Sequence, residues 1–166
     1  AGLRIVDAFS ETVGLISPDL PNTVRANSMN LNSLSMAITK LENSLHRKGI
    51  LLAFDSLTSP YLFGGADVVK FMGLFLSRFA AEGNSVLALI DEGCGREEDL
   101  VAMMSVADGI LKMEVKDASR FLSIVKHPVL EPTRIEMPTD VRTSISPETM
   151  DAWITKLYKP RGDRRR

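Results

Sequence analysis

Short continuous apolar runs alternate along this chain with apolar stripes at steps of three and four. Leu3, Ile5 and Val6 form a brief β-rich run that Asp7 closes. Asn22 to Ser33 is polar and interrupted, with Pro18 and Pro21 just ahead of it, and predicts a loop. From Leu34 the pattern turns helical: Leu34, Ile38, Leu41 and Leu45 share one face, and Gly49 stands where a C-cap is expected. Ile50-Leu51-Leu52-Ala53-Phe54-Asp55 is an unbroken apolar run ending in one acid, the pattern of a strand buried on both faces. Gly64-Gly65 breaks the chain before a second helix carrying Val68, Phe71, Met72, Phe75, Leu76 and Phe79, which Gly83 closes. Val86–Ile90 repeats the buried-strand pattern and ends in Asp91 and Glu92.

A third helix is predicted over about Glu97–Ala107, with Leu100, Val101, Met104 and Ala107 inward. Ile110–Val115 and Phe121–Val125, joined by the polar Lys116–Ser119, predict a hairpin, and Arg134–Met137 a short edge strand. Ser146 as N-cap and Pro147 at the first helical position open a last helix, lined by Met150, Trp153, Ile154 and Leu157. Strands alternating with helices predict an α/β fold, a mainly parallel sheet flanked by helices. Functional groups in such sheets gather beyond the carboxyl ends of the strands, where Asp7, Asp55, Asp91 and Glu92 all fall.

Composition narrows the picture by exclusion. The 166 residues are 45% apolar and 25% charged, which rules out a disordered or collagen-like chain. No apolar run approaches the roughly 20 residues that span a bilayer, and no signal-like segment follows Ala1, so a cytoplasmic domain is expected. A single cysteine, Cys94, excludes a disulfide framework; with only His46 and His127 beside it, a Cys/His zinc site is not expected. A net charge of −1 offers nucleic acid or an anionic membrane no general attraction.

Asp55 is the most informative residue. A hydrophobic strand that delivers one carboxylate to its C-terminal edge, followed by Ser56, is how many NTPases hold Mg²⁺ through water, the Walker B arrangement. The segments LRIVDAFSETVG, ILLAFDSLTSPYLFGG, SVLALIDEG and VADGILKMEV, with RFLSIVKHP behind them, resemble the archaeal KaiC-like branch of the RecA superfamily over about residues 3 to 137. In order and spacing they are similar to the C-terminal two-thirds of such a domain. The resemblance implies a truncated RecA-like core over 1–138 with a C-terminal β-hairpin, then a linker and final helix over 139–158 and a basic tail over 159–166. It also implies that Asp55 is the Mg²⁺-associated acid with Ser56 after it, and that Lys126 matches a lysine reaching a neighbouring subunit's nucleotide phosphate. The family's K-x-R pattern reads Lys126-His127-Pro128 here, and a proline does not replace a guanidinium.

A P-loop needs G-x-x-x-x-G-K-[ST], and no Gly-Lys pair occurs in these residues. The strand that carries the family's paired glutamates would precede Ala1. The expectation is therefore a noncatalytic RecA/KaiC-like domain, an interaction or assembly module with no cofactor of its own and a homo-oligomer or protein partner. The alternative is a fragment of an active ATPase, with ATP and Mg²⁺ bound only if a P-loop lies upstream. Loss of two interior strands predicts either closure of the remaining strands in sequence order (3–7, 50–55, 85–90, 110–115, 121–125) or pairing with another chain.

Other candidates read more plainly as structure. Asp91-Glu92-Gly93-Cys94-Gly95 suits a solvated strand-to-helix turn, and Glu98 stands where a dinucleotide fingerprint needs its third glycine. Cys94 needs a base such as His127 beside it to act as a nucleophile, and His46 reads as an exposed helix-end residue. Phe71, Phe75 and Phe79 read as core. The tail Lys159–Arg166, with its Arg-Gly-Asp tripeptide, reads as a solvated end. A receiver-type phospho-acceptor domain fails because Ala8, not a second acid, follows Asp7 and no apolar strand separates Asp7 from the helix at Leu34.

Overall fold

The computed structural model describes residues 2–15, 20–46 and 48–137, so the expected last helix and basic tail lie outside the described residues. The chain divides into two compact units, Ala1–Val106 and Ala107–Arg166. Both α and β elements are present, and the sheets are of mixed kind, parallel in the first unit and antiparallel in the second.

In the first unit β1 (Ile5–Asp7) pairs in parallel with β2 (Thr23–Arg25), Val6 opposite Val24. The segment expected to be a loop thus contains a strand. Three residues are too few to show a period, and Val24 turns inward there against the core. Helix α1 runs Leu31–Leu45, starting ahead of the periodic stripe because the Asn30 side chain caps it, accepting from the backbone N–H of Asn32 and Ser33 at 3.1 Å each. It ends at His46, which takes the left-handed C-cap conformation (φ 46°), not at Gly49. His46 is exposed, as expected.

Strand β3 (Leu51–Phe54) pairs in parallel with β4 (Ser85–Ala88), Leu52 opposite Val86 and Phe54 opposite Ala88. Between them lie α2 (Thr58–Gly64) and one long helix made of α3 (Ala66–Phe71), a π-helical turn Met72–Leu76 and α4 (Ser77–Ala81). Gly65 (φ 49°) separates α2 from α3, and Gly83 (φ 92°) turns the chain into β4. Helix α5 spans Glu97–Val106.

One core holds this unit together. Ala26, Leu34, Ala37, Ile38, Leu57, Phe71, Leu76 and Phe79 are buried in it, with Val6, Val24, Leu52, Phe54, Val86 and Ala88 packed against them. The expected phenylalanine stripe is core: Phe71 stacks on Phe75 with ring centroids 5.1 Å apart and meets Phe54 edge-on at 6.1 Å. The two strand pairs share this core but not a ladder, so the expected closure of the strands in sequence order does not occur.

Nor are β3 and β4 buried on both faces. Leu52, Phe54, Val86 and Ala88 face the helices, whereas Leu51, Leu87 and Leu89 are 65%, 49% and 50% exposed. Among the described residues the helices cover only one side of this pair. Helix α5 also differs in phase from the expectation. Asp99 and Met103 are its buried residues, while Val101 and Met104 are exposed, because a polar group occupies the inward position of the first turn.

The second unit carries β5 (Ile110–Lys116), β6 (Ser119–Lys126) and β7 (Thr133–Met137) as an antiparallel sheet in that order. Asp117 (φ 50°) and Ala118 (φ 64°) make the two-residue hairpin turn, where the twist of the strands favours left-handed residues. The expected hairpin and edge strand are both present.

Phe79, 1% exposed at the centre of the first core, is the test of this packing. Phe79→Ala is expected to cost about 3–5 kcal/mol in urea unfolding, through lost transfer energy and the cavity left behind.

Candidate functional site at the carboxyl ends of β3 and β4

The chain leaves β3 at Asp55, an exposed acid, through a cis peptide to Ser56. Ser56 Oγ accepts from the Thr58 backbone N–H at 3.3 Å, shaping the entry to α2. Leu57, 1% exposed, donates its N–H to the Leu89 carbonyl at 2.8 Å, and Thr58 Oγ1 accepts from the Asp91 N–H at 3.0 Å. These two bonds tie the loop after β3 to the loop after β4, so Asp55, Asp91 and Glu92 emerge on one rim of the first unit.

Behind the rim sits a cluster that the sequence did not disclose. Tyr61 on α2 donates its hydroxyl to Asp99 Oδ2 at 2.7 Å and accepts from the Arg96 backbone N–H at 3.1 Å. The Arg96 guanidinium closes on the same carboxylate, Nε to Oδ2 at 3.0 Å and Nη2 to Oδ1 at 3.1 Å, in a bidentate fork. Asp99 is 8% exposed, and with Tyr61 and Arg96 around it a buried carboxylate becomes tolerable. The Tyr61 hydroxyl holds the Asp99 carboxyl below its ordinary value, against the opposing effect of burial and with further help from Arg96. That same bond, then burial, pushes the Tyr61 phenol above its ordinary value.

Gly95 explains its own identity here. A Cβ on it would fall 1.8 Å from Tyr61 Cε1, so any side chain would drive the ring off Asp99. Gly95 therefore serves packing, whereas Gly93 takes a left-handed backbone conformation (φ 81°) with open space beside it. Cys94, half-buried, packs against the cluster formed by Tyr61, Val68 and Met103. A sequence signal for the clamp existed only in part: Arg96 and Asp99 stand three apart at a helix start, but Tyr61 lies in a different element.

In the second unit Lys126 Nζ donates to the Ala107 carbonyl at 2.6 Å. His127 Nδ1 accepts from the backbone N–H of Val129 (3.1 Å) and Leu130 (2.9 Å), so this nitrogen shapes the turn before β7.

Chemically the rim offers one strand-end carboxylate with a neighbouring hydroxyl. Among the described residues no three His, Cys, Asp or Glu side chains come together as a metal-holding group. Asp55 and Ser56 place one carboxylate and one hydroxyl at the end of β3, a pair that fits a Mg²⁺ ion held through water where a nucleotide's phosphate oxygens complete the shell. No protein-family model matches the chain, and no match to a curated protein is found.

The clamp makes opposite demands at the two ends of the pH scale. Asp99, depressed in the folded chain, contributes stability that is full above the unfolded value near about 4 and is lost as pH falls through the folded one. Tyr61, raised, contributes stability that is full below about 10 and is lost as pH rises through its folded value. In a Tyr158→Phe chain, spectrophotometric titration should find Tyr61 ionising above free tyrosine. Asp99→Asn should move that titration downward, and Gly95→Ala should do the same by displacing the ring.

Proposed function

We propose that the first unit is part of a RecA/KaiC-like α/β core that works in this chain as an interaction and assembly module. The observation that carries the reading is the one-sided burial of the β3–β4 pair. An apolar two-stranded parallel sheet is rarely left in this condition, because parallel sheets are covered on both faces and extended at both edges. Here Leu51, Leu87 and Leu89 leave one face exposed. Neither strand has a second ladder among the described residues.

The edges are poised for pairing in a defined register. The Ile50 and Phe54 carbonyls accept from Ser85 and Leu89. The alternation of a parallel ladder then turns the N–H and C=O of Leu51 and Ala53 to the outer edge of β3, and those of Val86 and Ala88 to the outer edge of β4. In the isolated chain these groups meet water and cost little. They are also a template for an added strand, from a second copy or from a partner. Covering a half-exposed leucine adds about 1 kcal/mol of hydrophobic stabilisation, so face and edges favour the same event.

A second reading has one observation in its favour. Asp55 stands exposed at the carboxyl end of β3 with Ser56 beside it, as the Walker B resemblance implies. An ATPase built on it needs a glycine-lysine loop that these 166 residues do not contain, and so needs further polypeptide. On that reading Asp55 would hold Mg²⁺ through water, and the bound nucleotide would supply the phosphate charge the ion neutralises.

Sedimentation across a concentration series separates these. The module reading expects association that Leu51→Glu weakens by about tenfold or more, and no ATP turnover by this chain. Ala53→Pro, which removes a donor only from the outer edge, should act in the same direction. A chain that stays monomeric at all concentrations and binds no partner, or one that hydrolyses ATP with a dependence on Asp55, overturns it.

A further inference from the structure

Strand β5 is an outer strand of the second unit: the sheet runs β5, β6, β7, and among the described residues only β6 pairs with it. The hairpin settles which of its backbone groups face outward. The two-residue turn Asp117-Ala118 joins Lys116 to Ser119, and such a turn is flanked by a pair that exchanges both of its hydrogen bonds. Hydrogen-bonded pairs recur at every second residue of an antiparallel ladder, so Glu114 and Lys112 also turn their backbone groups to β6. The N–H and C=O of Leu111, Met113 and Val115 therefore point away from β6, along the outer edge.

The side chains along that edge alternate in kind. Leu111, Met113 and Val115 are 58%, 64% and 73% exposed and share a face that also carries Arg120 and Thr133. Lys112, Glu114 and Lys116 lie on the opposite face. Lys112 reaches Glu114 at 3.4 Å, and Arg134 of β7 approaches the same carboxylate at 3.6 Å. Over a third of the Lys112 and Glu114 side chains stays in solvent even so.

We propose that the outer edge of β5 is an interface between two copies of this chain, paired antiparallel about a two-fold axis at Met113. The strand Ile110-Leu111-Lys112-Met113-Glu114-Val115-Lys116 is complementary to its own reverse. With Met113 opposite Met113, Leu111 meets Val115 and Lys112 meets Glu114, each contact occurring twice by symmetry. Residues 111, 113 and 115 then oppose one another and exchange their outward backbone hydrogen bonds pair by pair. The closer, non-hydrogen-bonded pairs between them set ammonium against carboxylate. Sliding one copy by a single residue leaves the outward backbone groups facing residues that bond elsewhere. Sliding it by two opposes Lys112 to Lys112 or Glu114 to Glu114, which is repulsive. Backbone and charge thus select the same register. Lysines guard an edge strand against pairing in general, and Glu114 answers them in this register. The two three-stranded sheets become one continuous sheet, with an apolar strip of Leu111, Met113 and Val115 running across the axis. The inference stands on the second unit and is independent of the reading of β3–β4.

The test is made in full-length chains that all carry Leu51→Glu, so that the association which remains is that of β5. Such a chain should still sediment as a concentration-dependent dimer. Lys112→Glu and Glu114→Lys should each weaken the dimer by about tenfold or more, since like charges then face each other twice. An equimolar mixture of these two variants should recover it, because positions 112 and 114 again face opposite charges in the mixed dimer. Circular dichroism should show the sheet retained throughout. With Cys94→Ser added, Met113→Cys should crosslink two copies on mild oxidation, the paired Cα atoms being about 5.5 Å apart. Lys116→Cys should not, since the two positions 116 lie about 20 Å apart across the axis. A monomeric Leu51→Glu chain, a dimer indifferent to both charge reversals, a mixture that fails to recover, or crosslinking as ready at 116 as at 113 each overturns the proposal.

Discussion

Everything in the first unit depends on how Leu52, Phe54, Val86 and Ala88 press against Phe71, Leu76 and Phe79. That contact fixes which face of β3–β4 is inside. Because side chains alternate along a strand, it also fixes that Leu51, Leu87 and Leu89 are outside. The same register brings Asp55 and Asp91 out on one rim, through the bonds from Leu57 to Leu89 and from Asp91 to Thr58. The strand-end acids and the exposed leucine face are therefore two consequences of one packing arrangement.

The Tyr61–Asp99–Arg96 clamp plays a different part. It holds α2 against the start of α5, where apolar packing is thin: Val68 and Met103 are the only buried apolar residues that join Tyr61 in this second cluster among the described residues. A buried carboxylate is a costly way to join two helices unless all its lone pairs are engaged. Here a phenol and a bidentate guanidinium supply three hydrogen bonds to it, two on Oδ2 and one on Oδ1. The result is a joint that specifies orientation, which an apolar contact of the same size would do less sharply.

Much of this was readable in the residue pattern, and the failures have physical causes. β3, β4, the phenylalanine-lined helix and the hairpin announce themselves, because a continuous apolar run or a stripe at steps of three and four has few other solutions. β2 did not, since Thr23–Arg25 is short and polar and is a strand only because Val24 finds Val6. The phase of α5 is hidden because the apolar pattern points Val101 and Met104 inward, while Asp99 takes the inward place once Tyr61 and Arg96 partner it. Gly95 looked like part of an acid-and-glycine turn, but its reason is steric and comes from a ring on another helix. The strand-end position of Asp55 was legible. The one-sided cover of its strand was not, because a run of apolar residues reads the same whether its second face is met by its own chain or by another.

The most direct test of that last point is hydrogen exchange at single amides, read at low and high protein concentration. Leu52 and Phe54 donate within the β3–β4 ladder and should be protected at both. Leu51, Ala53, Val86 and Ala88 should exchange freely in dilute solution and become protected as the chain associates or meets its partner. If these outer-edge amides are protected equally at every concentration, or stay unprotected in the associated state, the β3–β4 pair is not the assembly surface and the account fails at its centre.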